Sequence, residues 1–157
     1  MASQEPTIVL VPGSFNYSAI YTAVTDKFTA LGHSLKAVEL RTVGKRPGPP
    51  PTMYDDAAAI ASEVEKLADE GKDVVLVGHS YGGLPISQSL KGLSRAAREK
   101  EGKKGGVVRL AYLAALVPAI GENVVAGIEG CPSGYTETDE VSLHEPATVI
   151  LSLEVGD

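Results

Sequence analysis

Four short apolar runs, separated by segments whose apolar residues return every three or four positions, most limit the folds open to this chain. The runs are Thr7–Val11 (TIVLV), Ser34–Leu40, Asp73–Gly78 (DVVLVG) and Val107–Ala115 (VVRLAYLAA). Runs of this kind read as strands of a parallel sheet, whose strands are buried on both faces. Between Tyr17 and Leu31, the residues Ile20, Val24, Phe28 and Leu31 fall on one helical stripe, and Gly32 supplies a stop. A second helix is expected from an N-cap at Thr52 to about Glu70. Asp55 stands three residues on as a capping-box partner, and Asp55 and Asp56 suit the positive end of the helix dipole. Its buried face would be Ala57, Ile60, Ala61, Val64, Leu67 and Ala68, with Gly71 ending it. Ile86, Leu90, Leu93 and Ala97 mark a third helix. Arg46–Pro51 (RPGPPP) can be neither helix nor central strand, because proline lacks the N–H and fixes φ.

Strand and helix therefore alternate three times and finish on a strand. That rhythm predicts an α/β, three-layer αβα domain around a mainly parallel sheet. After Val117 it stops. Residues 118–157 are rich in Gly, Pro, Glu and Thr, and only Ala147–Val155 is apolar enough for a regular element. The reading is one incomplete domain over 1–157, with 118–157 as the start of a lid.

Composition narrows the function. With 43% hydrophobic and 22% charged residues the chain reads as globular. A net charge of -6 gives a nucleic acid little to bind. Arg95, Arg98, Lys100, Lys103 and Lys104 alternate with Glu99, Glu101 and glycines, and read as a solvated loop. One cysteine, Cys131, excludes an internal disulfide. Met1–Pro6 lacks the layout of a signal peptide, and no apolar run reaches membrane-spanning length, so a cytoplasmic protein without a membrane partner is expected.

The chemistry lies in Gly78-His79-Ser80-Tyr81-Gly82, between a buried strand and an amphipathic helix. The chain must reverse there within a few residues, which strains the serine. Glycines two before and two after remove Cβ atoms that would collide. The turn would hold the Ser80 hydroxyl above the carboxyl end of the sheet, where open parallel sheets place their sites. Ser80 is thus the expected nucleophile. An oxyanion hole would take one donor from the Tyr81 backbone N–H. The other would come from the turn after the first strand, Pro12-Gly13-Ser14-Phe15, with the Ser14 N–H first choice and the Phe15 N–H second.

VLVPGSF at 9–15, Gly32-His33 and VVLVGHSYGG at 74–83 together resemble α/β-hydrolases, closest to compact esterases and hydroxynitrile lyases of the plant methylesterase type. AYLAALVP at 111–118 resembles the strand that leads into that family's lid. The resemblance spans Thr7 to Pro118. It implies a serine hydrolase acting on an ester or related carbonyl, with a small-molecule substrate and no cofactor. The family more often has His-Gly where this chain has Pro12-Gly13.

Such a serine needs a base and an acid, in the order Ser, acid, His. The strands that would carry them are expected to be missing. His79 is expected to pack structurally, and His33 to lie at the edge opposite the site. His144 alone could return, as a weak candidate base, with Asp139, Glu140 and Asp157 as acids of equal standing. The Val107–Ala115 strand would leave an apolar edge, to be covered by Ala147–Val155, by a second copy or by a complementing chain. An inactive, truncated product is one alternative, since no triad acid and base are evident, and two other functions stay open. One is a lyase or cyclase in the same pocket. The other is a binding module, in which Ser80→Ala would change nothing. A Rossmann nucleotide site is disfavoured, because Pro12–Tyr17 lacks G-x-G-x-x-G and no P-loop lysine is present.

Overall fold

The structure, a computed structural model, describes residues 5–117 and the strand at 150–154. The parallel strands are β1 (Thr7–Val11), β2 (Leu35–Ala37), β3 (Asp73–His79) and β4 (Gly106–Leu113), and a fifth, β5 (Ile150–Glu154), closes the sheet. Their order is β2-β1-β3-β4-β5. β1 lies in the middle of the parallel set, with β2 and β3 on its two sides, so the turn after β1 stands beside the turn after β3.

Register defines two faces. Thr7, Val9 and Val11 align with Val74, Leu76 and Gly78, and those with Val107, Leu110 and Tyr112. In a parallel sheet aligned residues share a face. This one is buried with Ile60, Val64 and Ile86 of the helices above it. Those helices are α2 (Met53–Asp69) and α3 (Gly83–Ser89). The opposite face carries Ile8, Val75, Val77, His79, Ala111 and Leu113, beneath a 3-10 turn at Ser18–Tyr21 and helix α1 (Thr22–Ala30). Strand β3 alternates between buried and half-buried residues along its length, so the expected burial on both faces is complete on one face only.

Helix α2 starts where its cap predicts. The Asp55 carboxylate accepts from the Thr52 N–H at 2.7 Å and from its hydroxyl at 2.8 Å. These bonds favour the ionised form and hold the Asp55 carboxyl below its usual range. Glu63 ties α2 to β2 through Lys36 and pairs also with Lys66 on its own helix.

Four expectations are corrected. The helix marked by Ile86 to Ala97 is two helices, α3 and α4 (Arg95–Lys100). Gly92 takes φ 74° between them, and the Ser94 side chain caps α4 by accepting from the Ala97 N–H. Arg98 is not solvated: its side chain is 2% exposed. It bonds Asp69 at 2.6 Å and donates to the Gly105 carbonyl at 3.1 Å. A guanidinium has five donors in a rigid fork, so it can stitch a loop to a helix where a lysine would stay in water. The Tyr17–Leu31 helix opens as a 3-10 turn and buries no residue of its stripe. Finally, Ile150–Glu154, expected within a lid region, joins the sheet. It pairs antiparallel with β4 and covers the apolar edge, which is what the Ala147–Val155 alternative anticipated. His144, Cys131, Asp139, Glu140 and Asp157 lie outside the described residues. Among the described residues no helix is long and apolar enough to cross a membrane.

Candidate active site

Among the described residues three non-glycine residues have positive φ, and each follows the carboxyl end of a different strand: Phe15 (62°) after β1, Ser80 (53°) after β3 and Ala114 (42°) after β4. Such a backbone costs about 1–3 kcal/mol for a residue with a Cβ and persists only where its surroundings enforce it. At Ser80 the enforcement is visible. β3 ends at His79, a 3-10 turn occupies Ser80–Gly82, and α3 begins at Gly83. A Cβ on Gly78 would stand 2.7 Å from the Gly82 carbonyl oxygen, and one on Gly82 would stand 2.6 Å from that of Val11. The reversal therefore closes only with glycine at both positions. The chain leaving β4 crosses beside it, with the Leu116 N–H donating to the Ser80 carbonyl at 3.0 Å.

The turn after β1 lies against this elbow. A Cβ on Gly13 would be 3.1 Å from Ser80 Cβ. Within the turn, the Gly13 N–H donates to the Tyr21 hydroxyl and the Asn16 N–H to the Gly13 carbonyl. Gly13 has thus spent its donor. The N–H groups of Ser14 and Phe15 have no partner among the described residues. Tyr81 sits in the first turn of a helical segment, where N–H groups lack intrahelical acceptors. The Phe15 ring is 92% exposed.

The histidines part as expected. His79 Nδ1 lies 2.7 Å from the Tyr21 hydroxyl, and the two rings meet edge to face at 6.0 Å. Its ring is occupied there. His33 precedes β2, at the amino end of the sheet, and pairs with Glu5 at 3.0 Å. Neither is placed as a base for Ser80. Tyr112 is buried in the core with its hydroxyl 2.7 Å from Ser87 Oγ, and Tyr17 is 54% exposed. An open cleft of ≈ 710 Å³ between the proline loop and α2 is lined by Arg41, Arg46, Pro49 and Asp55 among others, with no wall from the elbow.

Sequence reading missed two groups here. Tyr21 joins the Gly13 turn to His79, and nothing local marks it. Asp56 is fully buried. It accepts from the Thr42 N–H at 3.0 Å, the Thr42 hydroxyl at 2.7 Å and the Tyr81 hydroxyl at 2.8 Å. Burial, and then the neighbouring Asp56 carboxylate, push the Tyr81 phenol well above its usual range. A signal for Asp56 did exist: it falls on the same helical stripe as Ile60 and Val64, four and eight residues on, where a carboxylate must find partners.

The family model for the alpha/beta hydrolase family matches residues 8–149. The chain belongs to that family. It is 36% identical over 125 residues to an alpha/beta hydrolase, nvfD, of Aspergillus novofumigatus, covering 80% of this chain and 49% of that protein. A hydrolase-named protein of Phoma sp. is 42% identical over 120 residues, covering 76% and 46%. The chain thus spans about half the length of these curated relatives. Among solved structures, polyneuridine aldehyde esterase matches with a TM-score of 0.59 at 22% identity, covering 83% of this chain and 49% of that one. Tomato methylketone synthase I matches with a TM-score of 0.60 at 20% identity, covering 80% and 46%. At these identities the two structures establish the shared fold.

Proposed function

We propose that this chain carries the nucleophile half of a serine hydrolase acting on a carboxylic ester or related carbonyl. The observation that carries the reading is Ser80 held at φ 53° at the carboxyl end of β3, in an elbow that only Gly78 and Gly82 permit. Ser80 Oγ would attack the carbonyl carbon, forming a C–O bond while its proton passes to a base. The Tyr81 N–H and the Ser14 N–H, with Phe15 as the second choice, would hold the oxyanion. Collapse would expel the alcohol, and water would release the acid from the acyl-enzyme. Hydrolase-named relatives at 36% and 42% identity support the reaction class. His144 is the remaining histidine of the chain, and its place as base is part of this proposal.

One observation favours a second reading, a lyase-type or binding protein on the same fold: among the described residues no histidine is placed to take the Ser80 proton. The two readings separate on a fluorophosphonate probe followed by intact-mass spectrometry. The hydrolase reading expects a single adduct on the native chain and none on Ser80→Ala. A folded chain that takes no probe sinks it and leaves the non-hydrolytic reading.

A further inference from the structure

We propose that Asp56 is a positioning residue for the oxyanion site, acting through the side chain of Tyr81 to fix the backbone N–H that follows the nucleophile. The inference rests on the hydrolase reading for its catalytic clause and on geometry for the rest. Tyr81 carries two functions on one residue. Its N–H follows Ser80 directly, and its hydroxyl reaches 2.8 Å to Asp56 Oδ2, on the first turn of α2. The carboxylate is fully buried and is gripped independently by Thr42, whose N–H donates to Oδ1 and whose hydroxyl donates to Oδ2. Three elements of different origin converge on it: the loop after β2, the first turn of α2 and the elbow after β3.

A buried charge is tolerated where hydrogen bonds replace its water, and removing one donor leaves the others carrying an unsatisfied ion. The clamp is therefore stiff. Its stiffness has a place to act. Ser80 is at positive φ, a backbone that persists only where its surroundings enforce it. Anchoring the Tyr81 ring holds the Ser80–Tyr81 peptide from the side chain, while the Leu116 N–H on the Ser80 carbonyl and the close approach of Gly82 to Val11 hold it from the backbone. Asp56 touches no substrate. Its effect is to keep a donor where charge develops, and a misplacement of about 1 Å in such a site can cost about a hundredfold in rate. The raised Tyr81 phenol fits this arrangement, since a neutral hydroxyl is what the carboxylate needs as a donor.

The test uses the whole chain with Tyr81→Phe, Asp56→Asn and Thr42→Val, and two readouts. The first is amide hydrogen exchange at Leu116, whose N–H donates to the carbonyl of the Ser80–Tyr81 peptide, set against a core amide such as that of Ile60. The second is the rate of Ser80 phosphonylation by a fluorophosphonate. Tyr81→Phe is expected to raise exchange at Leu116 about tenfold while leaving Ile60 unchanged, and to slow phosphonylation by about ten- to a hundredfold. Asp56→Asn should act in the same direction, and the double variant should be no slower than the worse single one, because both remove one clamp. Should Asp56→Asn fail to fold, Thr42→Val and Tyr81→Phe carry the test. Phosphonylation of Tyr81→Phe within twofold of the parent rate overturns the proposal. If the parent chain takes no probe, the hydrolase reading falls separately, and exchange decides the clamp: loosening at Leu116 upholds it, and unchanged protection overturns it.

Discussion

The two faces of the sheet are built from the same kinds of residue and end in different states. On the face under α2 and α3, Val9, Val11, Val74, Leu76, Val107 and Tyr112 are all below 5% exposed, and Ile60, Val64 and Ile86 meet them from above. On the other face, α1 and the turn before it pack against β2. Val75, Val77, Ala111 and Leu113 are half-buried, and on α1 and the turn before it Ile20, Val24 and Leu31 are 59%, 43% and 63% exposed. The difference teaches where stability and chemistry are anchored. The closed face supports α2 and α3, which hold Asp56 and the elbow. The open face contributes Tyr21 and His79 to the site, and its remaining apolar surface gains little from burial within the described residues.

The largest effect that could break this comparison is a cavity. Ile60→Ala, on the closed face, is expected to cost about 2–5 kcal/mol, and Val24→Ala, on the open one, to stay within about 0.5 kcal/mol. Urea unfolding of both variants checks this, and equal losses would mean that the faces are energetically alike. Next comes Arg98, at the margin of the closed face. Arg98→Ala strands the Gly105 and Lys104 carbonyls and unpairs Asp69. Because Asp69 is 63% exposed and can return to water, the expected loss is about 1–3 kcal/mol, nearer a buried hydrogen bond than a buried ion pair. A loss below about 0.5 kcal/mol would return the cluster to the solvated loop that its composition suggests.

The smallest effect is a pH dependence. Lys36 first, and then Lys66, hold the Glu63 carboxyl below its ordinary value. A depressed folded-state value contributes stability that is present above the unfolded value and fades as pH falls through the folded one. Between neutral pH and about pH 3 the chain should therefore lose more stability than Glu63→Gln does, by less than about 1 kcal/mol for so exposed a pair. Denaturation midpoints at the two pH values measure it, and identical losses would remove the ion pair from the account.

How much of this was legible follows from what each residue depends on. The elbow was readable because its signature is contiguous, a strand, a reversal and a helix with glycines at 78 and 82, although what excludes a Cβ at 82 is the Val11 carbonyl on β1. The cap at Thr52 was readable for the same reason. The break between α3 and α4 was signalled by Gly92 and Ser94, but the stripe from Ile86 to Ala97 hides it, since two helices of compatible phase look like one. Arg98, Tyr21 and Asp56 were read wrongly or not at all, because their partners lie 29, 58 and 25 residues away.

The sequence by itself determined the alternation, the mainly parallel sheet, the position of Ser80 and the family resemblance, all of which depend on periodicity and on contiguous motifs. Only the tertiary structure decided which face of the sheet is closed, that β5 covers the edge of β4, and that a buried carboxylate grips the residue beside the nucleophile. Those depend on which distant groups meet, and the local pattern can mark that a buried group such as Asp56 needs a partner without saying which residue supplies it.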